Sequence, residues 1–221
     1  MVVLFTTLAL PFLAIIVVLD YTATSRAVTT TSEDMVNRFN NQIVRELVQT
    51  IDPVISLTRS AAMLVAKDPD FFRKDASWDF LKTHTEHSAI INTAYVGFAD
   101  GSITMAAPAS EKAQFFGKRA PPQTVNAFWR LDRQSEKIVH DELVFKGANN
   151  QVIEKHQVNS TYDPRLRPWY QAAVDGKESI VYGPIKSAST GEIELTFATP
   201  VINNDLVVAV AAIDISLAST E

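Results

Sequence analysis

Cysteine is absent from the 221-residue chain, which excludes disulfides, thiolate nucleophiles and cysteine-held zinc together. Glycine is scarce at 7 residues, so nucleotide-cradling loops have little material. No Gly-rich phosphate loop, nucleophile elbow or HExxH zinc motif occurs. A basic excess is missing too: 20 Lys and Arg stand against 25 Asp and Glu, for a formal charge of -5 and a pI near 5.4. Neutralising phosphates takes clustered Lys and Arg, so nucleic acid is not an expected partner. What is present is 47% hydrophobic residues, enough for the core of one ordinary domain.

The hydrophobic residues are unevenly spread. Residues 2–19 carry no charge, and only Thr6, Thr7 and Pro11 interrupt the apolar run. At about 1.5 Å per residue such a helix just crosses a bilayer core, and a transmembrane anchor is expected there. A cleaved signal peptide, the competing reading, normally opens with Lys or Arg, and none precedes Val2. The same lack leaves the positive-inside rule nothing to read. Residues 20–67 follow as a Thr-rich connector and a long stalk helix. Ser32-Glu33-Asp34 supply an N-cap and an acidic first turn, and Met35, Phe39, Ile43, Leu47 and Ile51 recur at helical spacing. Pro53 should kink or divide this helix, because it removes a backbone donor and clashes with the preceding turn. Lys67-Asp68-Pro69-Asp70 ends it. Such a helix after an anchor would lift a globular module off the membrane, and a second copy could pair along it as a homodimer. Packing of the stripe on its own domain is the alternative.

From Ile90 the hydrophobic period changes to that of strands. Runs over 92–99 and 102–107 form a hairpin about Asp100-Gly101. An irregular stretch reaches Pro122, and strands follow over 126–132, 138–145 and 152–158, the last pair turning at Gly147-Ala148-Asn149-Asn150. Pro168 suits the first position of a short helix with Gly176 as its stop. Strands over 179–185, 192–202 and 206–215 finish the chain. The fold class expected is α+β: the long helix, then a PAS-like antiparallel sheet with short flanking helices over 68–221.

One segment stands out. Tyr162-Asp163-Pro164-Arg165-Leu166-Arg167-Pro168-Trp169-Tyr170 concentrates guanidiniums, aromatic rings and two prolines between a strand and a helix. The prolines fix φ at two points, which lowers the ordering cost of a pocket wall. In the last strand both faces are apolar except at Asp214. A buried carboxylate needs a cation or several donors. Asp214 could therefore pair structurally with Arg167 or Arg165, or cap the strand end near Ser216. Alternatively Arg167 takes a ligand carboxylate, Asp214 takes an ammonium, and Trp169 or Tyr170 closes the sides, with Tyr162 and Tyr182 adding phenols. A free α-amino acid or a simple amine fits that second arrangement.

The motif Tyr-Asp-Pro-Arg-x-Arg-Pro-Trp-Tyr, the late Ala212-Ile213-Asp214-Ile215-Ser216-Leu217 strand and the Ala94-Tyr95-Val96-Gly97-Phe98-Ala99-Asp100-Gly101 hairpin together resemble the membrane-distal half of double Cache extracytoplasmic sensor domains of bacterial receptors. The resemblance covers nearly the whole chain. It implies a non-enzymatic sensor module in the periplasm or outside the cell, which the 2–19 anchor of this chain would hold by a single pass in the inner membrane, with Tyr162, Arg167, Trp169, Tyr170 and Asp214 binding an amino acid. It also implies a membrane-proximal module, a second transmembrane helix and a cytoplasmic kinase, cyclase or chemotaxis output. None of these lies before Glu221, so a fragment or a reduced protein with a signalling partner is expected.

Weaker signals are read as structural. His84 and His87 on a probable helix lack a third metal ligand and read as a solvated face. His140-Asp141-Glu142 reads as surface, because adjacent strand residues point to opposite faces. No cofactor, metal or catalytic residue is expected. The rival readings are a membrane-anchored interaction module with a ligand-free pocket, and a periplasmic hydrolase or isomerase using Asp214 and Tyr170.

Overall fold

The computed structural model describes residues 51–86, 88–111 and 113–216. The expected anchor over 2–19, the connector and most of the stalk helix lie outside the described residues, as do His87 and Lys112. Among the described residues no helix is long and apolar enough to cross a membrane.

An α-helix over residues 51–67 (α1) opens the described chain and passes through Pro53. The turn before Pro53, where a kink would form, lies outside the described residues. Val54, Thr58, Ala61, Ala62 and Val65 make its buried face, the spacing of a single helical stripe. A 3-10 turn at Phe71–Arg73 leads into α2, Ala76–Thr85.

Ten strands follow: β1 Ile91–Phe98, β2 Ile103–Pro108, β3 Gln114–Phe115, β4 Lys118–Arg119, β5 Asn126–Gln134, β6 Lys137–Lys146, β7 Val152–Gln157, β8 Ile180–Lys186, β9 Ile193–Asn203 and β10 Leu206–Ser216, with α3, Pro168–Gly176, between β7 and β8. Eight of them form one antiparallel sheet in the order β7-β6-β5-β2-β1-β10-β9-β8. The strands sit within a residue or two of the hydrophobic runs in the sequence. The small β3-β4 hairpin does not, since its Ala- and Pro-rich surroundings carry no alternation. It turns on Phe116 and Gly117, both at positive φ.

The registers put Tyr95, Met105, Trp129 and Leu143 in one row across β1, β2, β5 and β6, with Ala212 and Ala198 continuing it on β10 and β9. With Trp169, Tyr170 and Ala173 of α3 they form one core. The opposite face packs on the helices: Trp78 of α2 stacks on Phe128 with ring centroids 5.2 Å apart, and Thr58 of α1 shares a 2.8 Å hydroxyl hydrogen bond with Thr199. The central strands are thus buried on both faces, which explains why β10 reads as continuous hydrophobic sequence.

Two readings of polar side chains are corrected here. His84 is not on a solvated face: it is 6% exposed, its ring lies 4.3 Å from that of Phe80, and Nδ1 is 2.9 Å from the Phe80 carbonyl oxygen. Asp141 is not at the surface either. It is buried, accepts Trp129 Nε1–H at 2.8 Å and the Ser160 backbone N–H. Strand alternation places it opposite His140 and Glu142 on the core side, where burial requires such donors.

Candidate functional site

The motif is built by two proline-started turns in succession. Asp163 caps a 3-10 turn, Pro164–Leu166, by accepting the Arg165 backbone N–H at 2.9 Å. Arg167 then stands in extended conformation, and Pro168 begins α3, a position where a missing N–H costs nothing. The helix ends with Lys177, not Gly176, in the left-handed conformation. Before the motif, Asp141 fixes Ser160, Ser160 Oγ accepts the Tyr162 N–H at 2.9 Å, and Arg133 donates to the Tyr162 carbonyl at 2.8 Å. The segment is therefore anchored at both ends.

Between the motif and the sheet lies a cavity of about 280 Å³. Its sheet wall is Thr93, Tyr95, Met105, Trp129, Glu194 and Asp214, and its motif wall is Tyr162, Arg167, Pro168 and Trp169. Ile103, Phe116 and residues 185–189 complete the lining. Phe116 sits at the β3-β4 turn with its ring 4.4 Å from Trp129, and its N–H donates to the Ser189 carbonyl at 3.0 Å. The volume lies just below the range typical of pockets for drug-sized molecules, which suits a small metabolite.

Asp214 is buried on the cavity face of β10. Its Oδ1 accepts Tyr95 Oη–H at 2.9 Å and Thr196 Oγ1–H at 2.6 Å, and its Oδ2 accepts Thr93 Oγ1–H at 2.8 Å. Burial raises its pKa, and hydrogen bonds from Thr196, Thr93, Glu194 and Tyr95 oppose that rise. Burial, followed by the Asp214 charge, holds the Tyr95 phenol well above its ordinary range, so it stays a donor. Glu194, the neighbouring carboxyl on β9, is pushed up to about 9 by burial and then by Asp214.

The structural salt bridge that was one alternative for Asp214 does not form among the described residues. Asp214 uses hydroxyls instead, while Arg165 turns outward to Asp163 at 2.7 Å and Glu136 at 2.6 Å. Arg167 makes no ion pair among the described residues. Its guanidinium carbon lies 5.3 Å from the Tyr162 ring centroid, a cation-π arrangement.

Of the residues singled out by sequence, Tyr162, Arg167, Trp169 and Asp214 come together in one cavity. Tyr170 and Tyr182 do not line it. Tyr170 is turned into the apolar core with its hydroxyl unpartnered, its pKa raised to about 12 by burial. Tyr182 packs against that core from β8. The hydrolase pairing of Asp214 with Tyr170 is thus not assembled around the cavity. Sequence reasoning missed Thr93, Tyr95, Trp129, Phe116 and Glu194. Alternation along β1 could have put Thr93 and Tyr95 on one face, but nothing in the sequence pairs that face with Asp214. Among the described residues no cluster of metal-ligating side chains occurs.

No family model matches the chain. It is 28% identical over 192 residues to adenylate cyclase 1 of Rhizobium meliloti, covering 84% of this chain and 28% of the cyclase. A shorter match, 47% identical over 58 residues, is to the methyl-accepting chemotaxis protein PscA of Pseudomonas syringae pv. tomato, covering 26% of this chain and 9% of that protein. Similar solved structures include the ligand-binding domain of the Pseudomonas fluorescens chemoreceptor CtaA with L-isoleucine, at 21% identity and TM-score 0.48 over 78% of this chain and 51% of that one. Another is the ligand-binding domain of the Pseudomonas aeruginosa amino acid chemoreceptor PctB with L-Arg, at 20% identity and TM-score 0.44 over 76% and 50%. The chain therefore spans a minor part of these sequence relatives and about half of these domains.

Proposed function

We propose that this chain is the input module of a bacterial signal receptor and binds a free amino acid or a related amine. The observation that carries the reading is a cation and an anion kept unpaired in one cavity. Among the described residues Arg167 has no carboxylate partner and Asp214 has no cation. An unpaired charge in an enclosed site is costly unless a ligand meets it. A zwitterion meets both. Arg167 takes the ligand carboxylate with its planar fork, Asp214 takes the ammonium, and Tyr162, Trp169 and Trp129 wall the side chain.

Recognition would be followed by transmission: a ligand that binds two arrangements of the cavity unequally shifts their populations. Charge-free residues 2–19 support an extracytoplasmic module held at the inner membrane, the helical spacing of hydrophobic residues within 20–67 supports a homodimer, and an output module would be supplied by a longer protein or a partner. Thermal unfolding of the full chain against the common L-amino acids, simple amines, purines and small carboxylates tests the reading. A ligand that binds the folded state raises the transition by RT ln(1 + [L]/Kd). Stabilisation by amino acids or amines that Arg167→Ala abolishes is the expected result; stabilisation by none of them, or equal stabilisation of the variant, overturns it. Product formation from a bound amino acid would favour an enzyme instead.

A further inference from the structure

Glu194 is the carboxyl group in the cavity wall that the zwitterion reading leaves unused. It is 2% exposed, lines the cavity, and its Oε2 is buried without a hydrogen-bond partner. Thr196 pairs directly with Asp214 across β9 and β10, and Glu194 is the next residue on the same face, a diagonal neighbour within reach of a long side chain.

The acceptor count of Asp214 explains what such a neighbour could do. Oδ1 already accepts two hydroxyls and Oδ2 one. A carboxylate offers about four acceptor positions, so about one is left, on Oδ2, and hydrogen bonding with the protonated Glu194 competes for it in the empty site. A primary ammonium brings three donors. Asp214 by itself cannot satisfy them.

We propose, resting on the amino-acid reading above, that Glu194 is a second acceptor for the ligand's primary ammonium and gives up its proton to solvent as that ammonium enters beside Asp214. Before binding, burial and the Asp214 charge keep Glu194 protonated near neutral pH, and the two carboxyls carry a single negative charge. On binding, the Glu194 O–H bond breaks, the proton leaves, and the ammonium's positive charge takes its place. The net charge of site plus ligand ammonium is then the same as that of the protonated empty site. No oxidant or co-reactant is involved.

The groups facing Glu194 are consistent with this exchange. Asp214 on β10 disfavours its ionisation, and Tyr95 on β1 and Tyr162 on the motif are held as neutral phenols. Arg167 and Lys186 are the cations of the same cavity lining. Ser187 and Asn92 hydrogen-bonding lowers its pKa in part, and Asn92 also donates to Glu192 at 3.0 Å. The exchange also sets a chemical preference. A quaternary ammonium has no N–H donors and cannot replace the Glu194 proton, so the site should take primary amines and reject their trimethylated forms.

The test is titration calorimetry of the full chain with L-alanine, L-leucine and L-lysine, and with the N-trimethyl derivative of whichever binds, in buffers of different ionisation heat. Release of close to one proton per ligand at pH 7 is expected, with affinity tightening by up to about tenfold per pH unit between about pH 6 and pH 8. Glu194→Gln keeps the shape of the protonated acid and should release no proton, lose the pH dependence and bind about tenfold more weakly or worse at pH 8. The trimethyl derivative should not bind. Binding without proton release, with a variant of parental affinity and pH profile, overturns the role of Glu194 and leaves the amino-acid reading standing. Failure of the parent to bind any amino acid or amine overturns both. Should the variant fail to fold, the proton count of the parent alone decides.

Discussion

Arg165 closes on Asp163, two residues before it: the carboxylate accepts the Arg165 backbone N–H at 2.9 Å and Nη2–H at 2.7 Å. Glu136, at the β5-β6 turn, takes the outer side of the same guanidinium at 2.6 Å and 2.9 Å. Asp163 and Glu136 are both held below the usual carboxylate range by that contact. Arg165 is therefore a fastener of the motif, and Arg167 is left to face the cavity.

The two arginines should consequently separate in mutagenesis. Arg165→Ala is expected to lower the stability of the ligand-free protein by about 1 kcal/mol through the loss of its partly buried contact with Asp163. Arg167→Ala should cost about 0.5 kcal/mol, the scale of an exposed cation-π contact, yet abolish the ligand-induced thermal shift. Urea unfolding and thermal shift of both variants check this. An Arg167→Ala protein with a parental ligand shift would remove Arg167 from recognition.

Asp214 calls for a gentler substitution than alanine. Asp214→Ala leaves the Thr93, Tyr95 and Thr196 hydroxyls facing a void, and each buried group without a partner costs about 1–3 kcal/mol. Asp214→Asn keeps the volume and one acceptor oxygen while removing the charge. The expectation is a folded Asn variant with no amino-acid shift and an Ala variant several kcal/mol less stable, on the order of two such groups. Circular dichroism melts with and without ligand decide; parental binding by the Asn variant would mean that no ammonium meets this carboxyl.

These contrasts also mark how far the sequence could be read. Period-2 runs located the eight strands of the main sheet, and Pro164 and Pro168 located the two turns of the motif, because both signals are local. The ligand carboxylate could be assigned to Arg167 from the sequence, but what holds Arg165 away from Asp214 was not readable: Arg165 is fixed by Glu136, 29 residues away in sequence. Asp214 was visible as the lone charge on an apolar strand. Its donors Tyr95 and Thr93 lie 119 and 121 residues earlier, and become its neighbours only through the β1-β10 register. Phe116 was hidden for another reason, since a two-residue hairpin is too short to show a period.

Gly97 gives a test of how closely the motif must seat on β1. A Cβ there would lie 2.9 Å from Pro164 Cβ and 3.2 Å from Trp169 Cη2, so the strand and the motif approach too closely for any side chain. Gly97→Ala should destabilise the fold by about 1–3 kcal/mol, the usual cost of overpacking, and weaken ligand binding by displacing Trp169. Tryptophan fluorescence beside urea unfolding would register both. An unchanged unfolding midpoint and emission spectrum would show that the motif can shift away from the sheet without loss.

The pH profile of the ligand-free protein follows from Glu194. Its pKa rises on folding to about 9, so the native state binds more protons than the unfolded chain between the ordinary carboxyl range and that value. Stability is then fully present below the unfolded pKa and is lost as pH rises through about 9, at no more than about 1.4 kcal/mol per pH unit for one group. Asp214, also raised, contributes in the same direction. Asp163 and Glu136 act oppositely: their depressed values stabilise the protein above the ordinary carboxyl range, and that contribution is lost as pH falls through the acid range. Maximal stability should therefore fall in the mildly acidic range, with a decline from about pH 7 to pH 9 that Glu194→Gln flattens. Urea midpoints at pH 6, 7, 8 and 9 measure it. A parent whose stability is level or rising across that interval would mean that Glu194 is already ionised in the folded protein, and that the cavity carries two negative charges before any ligand arrives.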